Sequence, residues 1–153
     1  NSRGNLLQGD ALFLLNKASA AIKKYQEASR SKDTAIKSLA QVGVAKCQAA
    51  TGDHEQAILQ IEKLIQENAS DNIELFARAH NALGFSYSKA GNSDAALESY
   101  LYTDLLFYNE SSQHAEALYH LTKLWSIANK PQEASRARST LKERYAASLW
   151  ANK

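Results

Sequence analysis

Four short stretches of this chain share one pattern: NKASAAIKKY at residues 16–25, GDHEQAILQI at 52–61, GNSDAALESY at 91–100 and NKPQEASRAR at 129–138. Each opens on Asn or Gly, passes through small polar residues and places an alanine sixth. These alanines, Ala21, Ala57, Ala96 and Ala134, stand 36, 39 and 38 residues apart. Asn and Gly are turn residues, so each stretch reads as a turn followed by the opening of a helix. Self-similarity at such a period marks stacked supersecondary units, because one such unit cannot bury its apolar side alone.

Reading outward from each turn gives a pair of amphipathic helices. Upstream of Gly91, residues 73–90 place Leu75, Phe76, Ala79, Leu83, Tyr87 and Ala90 at three- and four-residue spacing. Downstream, residues 94–108 set Ala96, Leu97, Tyr100 and Leu101 on a second helix, with Ser93 or Asn92 as its N-cap. The pair recurs at 34–50 with 55–68, and at 113–128 with 131–149. Pro131 falls in the first turn of the last helix, where its missing N–H is tolerated. A further pair within residues 6–31 has a first helix that looks clipped. Six Gly and one Pro in 153 residues leave few breakers, which favours helix over a many-stranded sheet. The expected units are about 1–33, 34–71, 72–111 and 112–149, forming one repeat domain over 1–153 that reads as part of a longer chain.

The pattern resembles the tetratricopeptide repeat. The residues that carry the likeness are Leu83, Gly84, Tyr87, Ala96 and Tyr100 in the third unit, and Gly9, Ala21, Tyr25 and Ala28 in the first. Ala45 and Ala57 hold the small-residue places of the second unit, while Leu121, Trp125 and Ala134 hold those of the last. Gly84 and Ala96 lie where two helices should approach, so a larger residue would overpack. The spacing exceeds the family's usual length, and Ala69, Tyr108 and Ala146 stand where its closing Pro often lies. The resemblance implies an all-α, right-handed solenoid of helix hairpins, about three and a half to four repeats long. The closing stretch, residues 115–151, looks most like repeats of bacterial envelope proteins: outer-membrane assembly lipoproteins and periplasmic partners of the Tol–Pal system. That implies a periplasmic or envelope setting, with the cytoplasm as the alternative.

Little in the sequence points to catalysis. No phosphate loop, nucleophile elbow or dinucleotide fingerprint is present, so the expectation is a non-enzyme without a cofactor. His114 and His120 are six residues apart, far around a helix from each other, so they should not share a metal. Cys47, the single cysteine, sits among small apolar neighbours and reads as a buried hydrophobe rather than a reactive thiol; it leaves the redox compartment open. No apolar run is long enough to span a bilayer. The net charge of +2 divides into +5 over residues 1–46, −8 over 47–122 and +5 over 123–153. Basic ends around an acidic middle do not make the continuous basic face that nucleic acid requires.

What remains is an interaction surface. In proteins of this resemblance the first helices of successive units line a concave groove. Carried over by residue, that groove contains Lys46, Arg78, Asn81, Phe85, Lys89, Glu116, Tyr119, His120 and Lys123. The set is net basic with two aromatics, which suits an extended peptide or partner segment bearing acidic residues. It does not reproduce the carboxylate clamp by which some family members hold chaperone C-termini. Two other readings stay open: the inner face is merely solvated, or the module assembles through its outer face or ends, as a homodimer or against other domains. YLYTDLLFY, residues 100–108, is apolar on nearly every side and is either core or a docking patch. Trp150, with Leu149, is expected to pack onto the last repeat or onto a further neighbour.

Overall fold

The computed structural model describes residues 1–153 and is all-helical, with eight α-helices and no strand. In chain order these are α1 (Ser2–Leu14), α2 (Ala18–Ala28), α3 (Thr34–Ala50), α4 (His54–Glu67), α5 (Ile73–Lys89), α6 (Ser93–Leu106), α7 (Ser111–Ile127) and α8 (Pro131–Arg144). A short 3-10 turn, Trp150–Asn152, follows. α1 has 13 residues against 17 in each of α3, α5 and α7.

The four repeated turns share one backbone geometry. Asn16, Gly52, Gly91 and Asn129 have φ of 59°, 109°, 78° and 58°, the chain's four left-handed residues. Gly adopts this region freely, and Asn is among the few side chains that tolerate it. The next residue's N–H reaches back to the preceding helix in every case: Lys17 to Leu12, Asp53 to Gln48, Asn92 to Tyr87 and Lys130 to Trp125 carbonyls, at 2.8–2.9 Å. This Schellman closure satisfies carbonyls that a helix end leaves free and turns the chain sharply into the second helix. Asn92 then caps α6, its side chain accepting from the Ala95 N–H at 3.1 Å; Ser93 is the first helical residue. Pro131 opens α8.

Each helix packs on the one before and the one after it. The first helices of successive hairpins also touch, α1 with α3, α3 with α5 and α5 with α7, whereas α2, α4, α6 and α8 do not touch each other. The stack therefore bends with α1, α3, α5 and α7 on its inner side.

Close approach within and between hairpins depends on glycine. Tyr25 of α2 lies against two inner helices at once: a Cβ at Gly9 or Gly43 would come within 2.6 or 2.5 Å of its ring. Tyr100 of α6 lies against Gly84 in the same way, at 2.5 Å. Ala21, Ala28, Ala57 and Ala96 are fully buried as well. One apolar core runs through α1–α5 and another through α6–α8, and Tyr87 packs against both.

Three expectations need correction. The stretch 100–108 is neither all core nor all surface: Tyr100, Thr103 and Phe107 are buried, while Tyr102, Leu105, Leu106 and Tyr108 are exposed. The last helix, expected to reach residue 149, stops at Arg144. Tyr145 is drawn inward instead, its hydroxyl 2.7 Å from His114 Nδ1, and His114 Nε2 lies 2.6 Å from Asp104. His114 is fully buried, so this chain of polar contacts joins α6, α7 and the end of α8 while satisfying both ring nitrogens. Leu149 is exposed, so of the expected pair only Trp150 packs inward.

Candidate functional site

The inner face follows from register. Six residues before each left-handed turn residue stand Asp10, Lys46, Phe85 and Lys123. Thirteen before stand Arg3, Leu39, Arg78 and Glu116, and ten before stand Leu6, Val42, Asn81 and Tyr119. Helices set in one register present these positions on one side, and the inner bend brings them together.

The first consequence is that several of the charges face each other. Arg78 donates two hydrogen bonds to Asp10, at 3.0 and 2.9 Å, joining α5 to α1 across the groove. Asp10 also accepts from the Tyr25 hydroxyl at 2.8 Å. Glu74, 3.6 Å from Arg78 Nε, accepts from Arg3 at 2.9 Å. Burial alone would lower the Arg78 pKa, but the bonds to Asp10 and the charges of Asp10 and Glu74 outweigh it and raise it further. Burial, then the Asp10 charge, pushes the Tyr25 phenol far up. Such a bidentate pair fixes orientation as well as charge.

A second clasp joins α3 to α7. Lys46 donates to Glu116 at 2.9 Å, and Asn81 Nδ2 donates to the other Glu116 oxygen at 2.9 Å. The same amide also reaches the Gln113 carbonyl at 2.9 Å and its side-chain oxygen at 3.1 Å. Burial opposes ionisation of Glu116, yet its carboxyl lies below the ordinary value because positive charge and donated hydrogen bonds surround it. With His120 neutral at pH 7, Lys46 and Asn81 supply that stabilisation. His120 is pushed down to about 4, chiefly by burial. Its ring stacks on Tyr100 with centroids 4.7 Å apart.

Aromatic contacts fill the rest. Phe13 of α1 meets Phe85 of α5 edge-on at 5.3 Å, and Lys46 Nζ lies 4.5 Å from the Phe13 centroid. Lys89 lies over Phe85 at 5.4 Å and Lys123 over Tyr119 at 4.4 Å. Trp150 comes in from the C-terminal side, with centroids 5.2 Å from Tyr119 and 5.5 Å from His120. Two cavities result. The larger, about 360 Å³, runs between Asp10, Phe13, Gly43, Lys46, Arg78 and Glu116. The smaller, about 210 Å³, lies between Phe13, Phe85, Tyr119, His120 and Lys123. Trp150 walls both.

The structure thus places seven of the nine groove residues along these cavities: Lys46, Arg78, Phe85, Glu116, Tyr119, His120 and Lys123. Asn81 is buried beneath them and Lys89 stands exposed at the edge. Arg78, Lys46 and Asn81 are committed to internal partners; Lys89 and Lys123 are exposed and have no carboxylate partner. Sequence reasoning missed Asp10, Phe13 and Gln113. Asp10 was within reach, since it occupies in the first unit the place that Lys46, Phe85 and Lys123 occupy in the others. Comparison with the models of known protein families and with curated proteins gives no match.

Proposed function

We propose that this chain is a tetratricopeptide-type, right-handed α-solenoid of four hairpins that acts as a non-catalytic scaffold. Its inner face binds an extended segment of a partner protein. The observation that carries the reading is the inner face itself, where Phe13, Phe85, Tyr119 and His120 border two cavities that share a wall, with Lys89 and Lys123, neither paired to a carboxylate, at the rim. Aromatic surface beside ammonium groups that have no carboxylate, Lys123 donating only to the Tyr119 hydroxyl at 2.6 Å, suits a segment that offers apolar or aromatic side chains with nearby carboxylates. Arg78 and Lys46 act as clasps that hold the groove's shape, and Lys89 and Lys123 steer the acidic partner.

Steering and anchoring contacts differ kinetically. Lys89→Glu or Lys123→Glu should slow association with a captured partner and flatten its salt dependence. Phe85→Ala should cost about 2 kcal/mol or more, expressed as faster dissociation. Leu105→Ser on α6 should do neither. Loss of binding with Leu105→Ser alone would reject the groove and favour a second reading, assembly through the outer face. That reading has its own support in the neighbouring exposed side chains Tyr102, Leu105, Leu106 and Tyr108.

A further inference from the structure

The groove already holds a segment of this chain. After α8 the backbone folds back, and residues 148–153 close on themselves. Ser148 N–H donates to the Tyr145 carbonyl at 2.9 Å, Ala151 N–H to Ser148 Oγ at 3.1 Å, and the Asn152 amide to the Ala146 and Ser148 carbonyls at 2.9 and 2.8 Å. Every hydrogen bond of residues 148–153 lies within residues 145–152, and none reaches the groove. What holds the segment to the inner face is side-chain packing alone: the Trp150 indole on Tyr119 and His120, Lys153 over the indole at 4.6 Å and over the Tyr119 ring at 5.7 Å, and Ala151 against the core of α6–α8. Leu149 points away into solvent, 53% exposed. The segment is thus an internally tied knot attached to the groove by the indole and the packing beside it, contacts that release without breaking any hydrogen bond.

We propose that Trp150 is a tethered competitor for an aromatic subsite of the groove, and that the partner segment binds by placing its own aromatic side chain, flanked by carboxylates, where the indole lies. This rests on the groove reading above and specifies its ligand. The subsite is built for a flat ring. Tyr119 and a His120 ring that is uncharged at neutral pH form one side of it, and Phe13 and Leu14 of α1 line the same cavity. Aromatic pairs of this kind favour offset or tilted contact, as the indole shows against Tyr119 at 46°. Lys123 lies over Tyr119, and Lys153 over both Tyr119 and Trp150, so ammonium groups border the ring site where carboxylates beside the incoming aromatic would sit. A ligand that must first displace an internal occupant loses affinity in proportion to the occupied fraction.

The test uses the full chain labelled with 5-fluorotryptophan. Its two tryptophans, Trp125 and Trp150, give two fluorine signals, which Trp150→Phe assigns. The probe is the blocked peptide acetyl-Glu-Asp-Trp-Asp-Glu-amide, unlabelled, with the same peptide carrying Ala for Trp as control. In the wild-type protein the Trp150 signal should move to the position of a solvent-exposed indole as the probe saturates, while Trp125 holds. Trp150→Ala should bind the probe about tenfold more tightly than wild type, and Tyr119→Ala placed on Trp150→Ala should abolish that gain. The proposal is overturned if the probe binds while the Trp150 signal stays fixed, or if Trp150→Ala binds no more tightly than wild type. Either result leaves the groove as a binding face and removes only the competitor. Equal binding of the Ala control, or no binding to either protein, also overturns it, since the subsite then has no use for an aromatic ring. The wild-type fluorine titration decides the matter even if Trp150→Ala proves unstable.

Discussion

Gly84→Ala is a one-carbon perturbation whose cost can be worked from the packing. The added Cβ would lie 2.5, 2.6 and 2.7 Å from Cε2, Cδ2 and Cζ of Tyr100. Carbon atoms rest at about 3.5–4.0 Å, so the ring would have to withdraw by about 1 Å. It has little room, because Tyr100 is 1% exposed and stacks on His120 at 4.7 Å. Overpacking costs about 1–3 kcal/mol, and a Cβ fixed to the backbone this close to a ring with no room to withdraw belongs in the upper part, about 2–3 kcal/mol. Against it stands the helix propensity of Ala over Gly, about 1 kcal/mol in the other direction. The expected net is a loss of about 1–2 kcal/mol, equivalent to a fall of about 2–8 °C in Tm for a chain of this size. Urea unfolding followed by far-UV circular dichroism measures it directly. In a Tyr100→Leu background the same Ala should cost less or become stabilising, since the obstructing ring is gone. A Gly84→Ala protein as stable as wild type, or the same penalty with and without Tyr100, would refute the reasoning.

Three further outcomes follow from burial and charge pairing. Asp10→Asn should destabilise by about 2 kcal/mol or more, because it leaves the largely buried Arg78 guanidinium without its bidentate partner; urea melts with and without Arg78→Met separate the stranded charge from lost packing. His80 and His120 are each pushed down to about 4, chiefly by burial, so below about pH 6.5 the unfolded chain takes up protons that the folded one refuses. Stability should therefore fall between about pH 6.5 and 4, on the order of 1 kcal/mol per pH unit per histidine, and His120→Gln should flatten the slope in urea melts across that range. Burial pushes the Cys47 thiol up to about 12, so a thiol reagent at neutral pH should label it only as fast as the protein opens, and rapid labelling of the native state would contradict its placement.

The local part of this fold was legible because its signals are local. A turn that needs a left-handed residue selects Gly or Asn, and the four positions that open the repeated stretches are the four that adopt it. Gly84 marks a helix–helix approach because nothing larger fits beside Tyr100. What escaped depends on how far the stack bends. Asp10 and Arg78 are 68 residues apart, and Lys46 and Glu116 are 70 apart. Helical periodicity puts each on the inner side, but only the bend decides that they meet and neutralise one another. Arg78 therefore read as a free cation from sequence and is a clasp in the structure. Residues 145–149 kept a helical look because alanines favour helix, whereas beyond Arg144 the Tyr145 hydroxyl meets His114 and Trp150 lies against Tyr119 and His120, contacts that only the folded stack reveals. The exposed half of residues 100–108 was hidden for a related reason: a helix apolar all round reads as buried until one knows which neighbours cover it.

Site-specific photo-cross-linking shows which face of the stack meets the partner. A photoreactive phenylalanine analogue is placed singly at Phe85 or Tyr119 on the inner face, and at Leu59 or Leu105 on the outer face, in the full chain expressed in its native host. Adduct peptides are then mapped by mass spectrometry. Positions 85 and 119 should give adducts to one extended, carboxylate-rich segment of a partner protein, and 59 and 105 none to that segment. Adducts arising from 59 or 105 while 85 and 119 stay silent would contradict it and make the outer face the working surface.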